Sequence, residues 1–144
     1  MKKAVKQVII KAPAKKIFDF ISNPKNMAIV IPHVIRNYNL SKGPYKPGYT
    51  FDWEFSMMGV PFKGKWTITE YDVPKRYVAE TEGMIKSKWV YSFSQNSGAT
   101  TWRATVEYQT PKKLLSKFAE TTIHKINEKD LVAFMNNVKT IMEG

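Results

Sequence analysis

The chain has 144 residues and no cysteine, with 43% hydrophobic and 24% charged residues. That length suits one domain with its own core, and the composition excludes disorder, disulfide scaffolds, thiol nucleophiles, iron–sulfur clusters and cysteine-type zinc sites. The net charge of +11 is concentrated in residues 1–50, where ten Lys or Arg face one acid, Asp19, leaving only +2 on residues 51–144.

Lys6 to Ala12 is rich in β-branched residues and predicts a strand with Val8, Ile10 and Ala12 on one face. Pro13 stands where a helix favours its first residue, and Ala14, Ile17, Phe18 and Ile21 follow at helical spacing. The spacing predicts an amphipathic helix over 13–22, stopped by Asn23-Pro24, and a second short helix over 24–29. Val34 to Leu40 alternates weakly, as an edge strand does. Residues 41–48 are dense in Gly, Pro and Ser and form a loop.

Beyond the loop the alternation is strong. Phe51, Trp53, Phe55 and Met57 alternate with Asp52, Glu54 and Ser56, and Met58-Gly59-Val60-Pro61 reads as a turn. Phe62, Gly64, Trp66 and Ile68 then alternate with Lys63, Lys65, Thr67 and Thr69. Folded as a hairpin, this sets Asp52 and Glu54 beside Lys63 and Lys65 on a polar outer face, opposite an apolar, aromatic inner face. Residues 72–76 turn the chain into a strand over Tyr77 to Met84, with Gly83 marking a bulge or a close approach. Ser87, Trp89, Tyr91 and Phe93 share the inner face of the next strand, and Trp102, Ala104, Val106 and Tyr108 that of the last. Regular spacing and short turns predict an antiparallel meander.

From Pro111 the chain carries helix formers to its end. Leu115, Phe118, Thr122 and Ile126 make one apolar stripe, and Leu131, Phe134, Val138 and Ile141 make another. The two stripes are out of phase, and a straight helix over 111–143 would be about 50 Å long. A bend or break near Asn127 is expected.

The order of strand, two short helices, six strands and long C-terminal helix resembles the helix-grip fold of the START-like superfamily (SRPBCC, polyketide cyclase/dehydrase-like). The resemblance covers the whole chain. It is carried by the strand-to-helix opening Ala12-Pro13-Ala14 through Pro24, the strand entry Gly48-Tyr49-Thr50-Phe51, the turn Glu70 to Arg76, and the final hairpin Gly98-Ala99-Thr100. The chain departs from the family at Ile31-Pro32-His33, near the pocket's mouth, where the family often has Trp. The resemblance implies an α+β fold: a curved antiparallel sheet of about seven strands wrapped around the C-terminal helix, with a hydrophobic cavity between them. Fold does not fix chemistry.

Trp53, Phe55, Trp66, Trp89, Tyr91 and Trp102 fall on the predicted inner face. With Phe134 and Met135 of the C-terminal helix and His33 beside the mouth, they form the candidate ligand-binding set. Met57, Met84 and Met142 are further adaptable apolar surface. No metal-spaced pair includes either histidine, no phosphate-cradling glycine loop occurs, and no GxSxG elbow is present. No catalytic set, metal site or cofactor is therefore assigned. Glu70 is the one acid expected near the inner face, and His124 is expected on the surface of the C-terminal helix.

These residues favour a non-enzymatic protein that binds, and could transport, a hydrophobic small molecule or lipid. The alternative is a polyketide cyclase or dehydratase using His33, Tyr91 or Tyr108, and Arg103 if it faces inward. A further alternative is a basic accessory domain for nucleic acid or protein. Twenty Lys against three Arg disfavours nucleic acid, because readers of bases and phosphates lean on the planar guanidinium. It suits a transient encounter with an anionic membrane surface. No apolar run nears the ~20 residues that span a bilayer, and Val8-Ile9-Ile10 is too short for a signal segment. One cytoplasmic domain over 1–144 is expected, and nothing in the sequence speaks to its oligomeric state.

Overall fold

The computed structural model describes residues 1–144. Seven strands form one open antiparallel sheet: β1 (Lys2–Ile10), β2 (Val34–Tyr38), β3 (Thr50–Met57), β4 (Val60–Asp72), β5 (Arg76–Gly83), β6 (Ser87–Asn96) and β7 (Ala99–Tyr108). Their order is β1-β7-β6-β5-β4-β3-β2, so β2 to β7 run as a meander and β1 closes onto β7. Helices α1 (Ala14–Ser22) and α2 (Pro24–Val30) follow β1, and α3 (Lys112–Leu115) and α4 (Glu120–Glu143) end the chain. This is the helix-grip arrangement expected from the sequence.

The hairpin of β3 and β4 follows the alternation closely. Met58 and Gly59 both take positive φ, 52° and 81°, which is the two-residue turn whose twist matches paired strands. Asp52 pairs with Lys65 and Glu54 with Lys63 in register, and their charged groups lie 3.8 and 3.6 Å apart on the outer face. Pro61 belongs to the strand rather than the turn. It pairs only with β3, because the β5 register begins at Gly64, so its missing N–H breaks no ladder.

Gly83 marks a close approach, as its position suggested. It sits opposite Gly64 at φ 110°, and a Cβ there would meet the Gly64 Cα at 3.0 Å. A Cβ on Gly64 would meet Trp53 Nε1 at 3.0 Å and the Glu82 carbonyl at 2.7 Å. Gly64 thus makes the space in which the Trp53 indole lies against the sheet.

Two expectations are corrected. Pro13 is the cap residue outside α1, with ψ 144°, so the helix begins at Ala14. The C-terminal helix is continuous through Asn127, and its break falls instead between Leu115 and Glu120. Leu115 and Phe118 belong to a separate turn, so their phase does not carry into α4. The buried face of α4 is Ile123, Leu131, Phe134, Met135 and Val138, and Ile141 is exposed. At 24 residues α4 is about 36 Å long, which a sheet of this width can accept. No helix is long and apolar enough to cross a membrane.

Part of the N-terminal positive charge is answered by acids from elsewhere. Lys2 and Lys6 on β1 pair with Glu120 and Glu128 on α4 at 3.2 and 3.4 Å, and Arg36 pairs with Glu54 at 3.0 Å.

Candidate functional site

Alternation decides which side chains face α4, and position along the strands decides whether they meet helix or open space. At one end of the sheet, α1 fills that space. Phe18 stands edge-on to Tyr71, Tyr77 and Phe93 at 5.1 to 6.2 Å. Phe93 in turn stacks on Trp102 at 5.9 Å. This end is solid core.

At the other end, where β6 and β1 begin and β7 finishes, a cavity of about 100 Å³ remains. The middle of α4 roofs it through Asn127, Asp130, Leu131 and Phe134. Its apolar floor comes from Trp53 and Phe55 on β3, Trp89 on β6 and Val106 on β7. Trp53 stacks on Phe55 at 4.3 Å and meets Trp89 edge-on at 6.2 Å, giving a rigid aromatic surface.

The nine predicted site residues divide accordingly. Trp53, Phe55, Trp89, Phe134 and His33 line the cavity. Trp66, Tyr91 and Trp102 are fully buried and Met135 nearly so, and none of the four lines it. Trp66 donates its indole N–H to the Tyr77 hydroxyl at 2.9 Å, a core hydrogen bond that supports the floor from below. Burial pushes the Tyr91 phenol well above its usual range, so at neutral pH it is a neutral core group and not an acid. Of the further methionines, Met57 lines the cavity, whereas Met84 is exposed.

Ser87 and Tyr108 reach the cavity from inner-face strand positions, as alternation predicts, whereas His33 and Asp130 come from a loop and a helix that strand alternation does not cover. His33 follows α2 and has a left-handed φ of 68°, a conformation that costs a non-glycine residue on the order of 1 kcal/mol or more. The Ser56 N–H donates to its carbonyl at 2.9 Å and ties this loop to β3. Its Nε2 lies 3.7 Å from Asp130 Oδ1 on α4, so the pair spans the half-exposed opening. Burial holds the Asp130 carboxyl above its usual range, against the opposing pull of His33 and Lys129. Ser87, on the floor, accepts the Trp89 indole N–H at 3.0 Å and bonds the Thr81 hydroxyl. Tyr108 bonds His124 Nδ1 at 2.6 Å.

His124 therefore is not on the open surface as expected, but is drawn in against β7. Glu70 and Arg103 point outward: Glu70 accepts from Arg76 at 2.8 Å across a β-bulge, and Arg103 is exposed. The bulge between Ile68 and Glu70 shifts the alternation by one residue, which is why Glu70 leaves the inner face. Asn127 and Asp130 were missed because the expected break lay there; a single helical phase from Ile123 to Val138 would have found them. No group of three His, Cys, Asp or Glu gathers in a metal-binding cluster.

The family model described as polyketide cyclase / dehydrase and lipid transport matches residues 1–143. No curated protein matches the chain. Among solved structures, a protein of Thermus thermophilus superposes with a TM-score of 0.78 at 12% identity, over 96% of this chain and 95% of that one. The Zhui aromatase/cyclase from Streptomyces sp. R1128 superposes at 0.76 with 13% identity, over 99% and 93%. Ginseng major latex-like protein 151 from Panax ginseng does so at 0.72 with 13% identity, over 99% and 98%. At these identities the likeness is one of fold.

Proposed function

The chain belongs to the polyketide cyclase / dehydrase and lipid transport family, START-like in fold, and on that premise we propose that it binds a hydrophobic small molecule or lipid between its sheet and α4. The observation that carries this reading is the cavity itself: of its 18 lining residues, 12 are hydrophobic, and the aromatic floor is held in place by ring contacts. Apolar surface held open in this way gains from covering, at about 25 cal/mol for each Å² removed from water. In this reading the whole chain is one ligand-binding domain, Trp53, Phe55, Trp89 and Phe134 grip the ligand's apolar body, and His33 stands at its entrance.

A titration with the neutral fluorescent amine N-phenyl-1-naphthylamine tests it. Saturable binding of one molecule per chain is expected, displaced by competing lipids, weakened at least tenfold by Trp89→Ala and little changed by His33→Ala. Absence of saturable binding to the folded protein would contradict the reading.

A second reading, a cyclase or dehydratase, draws support from the His33–Asp130 pair at the opening and from the aromatase/cyclase among the structural neighbours. It loses Arg103, which is exposed, and Tyr91, which is sealed in the core. Turnover of a poly-β-ketone substrate that His33→Ala abolishes would favour it over simple binding.

A further inference from the structure

We propose that Tyr108 is the specificity-determining group of the cavity, held by His124 as a hydrogen-bond acceptor, and that the ligand carries a hydroxyl that donates to it. This inference rests on the binding reading above and adds the polarity of one of the ligand's contacts.

The geometry that fixes this polarity is a chain of three groups. Tyr108 lies on the inner face at the end of β7 and lines the cavity. Its hydroxyl oxygen is 2.6 Å from His124 Nδ1, and the two rings lie within 23° of parallel. The other ring nitrogen, Nε2, is 3.6 Å from the Glu128 carboxylate one helical turn on. Glu128 is itself paired with Lys6 from β1 at 3.4 Å, which keeps it in place.

At 3.6 Å the Glu128 carboxylate is too far to hydrogen-bond Nε2, but its negative charge favours the proton of the neutral imidazole on that nitrogen. Nδ1 is then the acceptor, and the phenol must donate to it. With its one hydrogen directed at His124, the Tyr108 oxygen offers the cavity lone pairs only. Asn127 of α4 lines the same cavity. A ligand reaching this wall with a hydroxyl completes the set, whereas a carbonyl oxygen there would face a lone pair. Sites built around a buried hydrogen bond discriminate strongly against ligands that leave it unmade. Tyr108 would touch the ligand, and His124 would be its positioning residue.

The test uses the full chain and two probes of similar size: 2-naphthol, which carries a hydroxyl, and 2-acetylnaphthalene, which offers only an acceptor. Tyr108→Phe is expected to weaken 2-naphthol about 5- to 10-fold and leave 2-acetylnaphthalene unchanged. His124→Leu releases the phenol proton to the cavity, so it is expected to strengthen 2-acetylnaphthalene and weaken 2-naphthol. A merely structural role for His124 would move both probes in the same direction. If both bind the wild type and neither variant changes their ratio, the inference is overturned while the binding reading stands. If neither probe binds a wild type that does bind N-phenyl-1-naphthylamine, the inference is overturned and the binding reading stands; if that amine does not bind either, both fail.

Nitrogen NMR of His124 in the wild type at pH 8 gives an independent check. A protonated Nε2 and a bare Nδ1 are expected, and the opposite tautomer would overturn the proposal whatever the probes do. Thermal unfolding of both variants establishes that they are folded before binding is read.

Discussion

Single residues decide where this sheet can be hollow. Trp53 and Trp66 occupy inner-face positions of adjoining strands, yet Trp53 borders the cavity and Trp66 is sealed beneath it, bonded to Tyr77. Strand alternation reveals which face a side chain takes, because it is a property of the pleat. It does not reveal how far along the sheet α1 fills the space, which depends on Phe18 meeting Phe93 from 75 residues away in sequence. That is why five of the nine predicted site residues line the cavity and four lie in the core.

Asp130 is the residue whose ionisation bears most on the site. Its carboxyl is held above the usual range by burial. A carboxyl raised in this way binds its proton more tightly in the folded than in the unfolded chain. It favours folding below the unfolded value of about 3.9 and loses that contribution as pH rises through the folded value. At neutral pH the charge therefore opposes folding, and the His33 pair does not fully offset it. Asp130→Asn is expected to raise the melting temperature at pH 7, with the gain vanishing by about pH 3. Melting curves across that range check the sign, and a variant less stable than wild type at pH 7 would refute it.

Among the elements, the β3–β4 hairpin was the most legible, since charge pairing, aromatic alternation and a two-residue turn all specify the same register. The C-terminal segment was the least. Its residues are helix formers throughout, and no Pro or Gly between Leu115 and Glu120 marks the break. The start of α4 is correspondingly plain: Ala119 is its cap residue, in extended conformation, with no side chain to accept the first free N–H groups. Ala119→Asp supplies an acceptor and a negative charge at the positive end of the helix. It is expected to add about 1 kcal/mol to the unfolding free energy, read from urea titration. No gain would mean that the first turn of α4 is satisfied by other means.

At the scale of the molecule, the sheet and α4 divide the interior between packing and vacancy. The C-terminal part of α4, through Met135 and Val138, closes on solid core, and its middle, from Asn127 to Phe134, spans the cavity. In the proposed reading, packing and binding thereby fall to different stretches of one helix. A substitution that fills the hollow end should abolish binding and leave the packed end intact.

Val106 lies on that hollow end, opposite Trp89 on β6. The most direct measurement is native mass spectrometry of the wild type and Val106→Trp after incubation with a mixed lipid and isoprenoid extract. One apolar adduct per chain is expected on the wild type, and a folded variant that carries none. An adduct retained equally by both, or a wild type that stays bare, would contradict binding in this cavity.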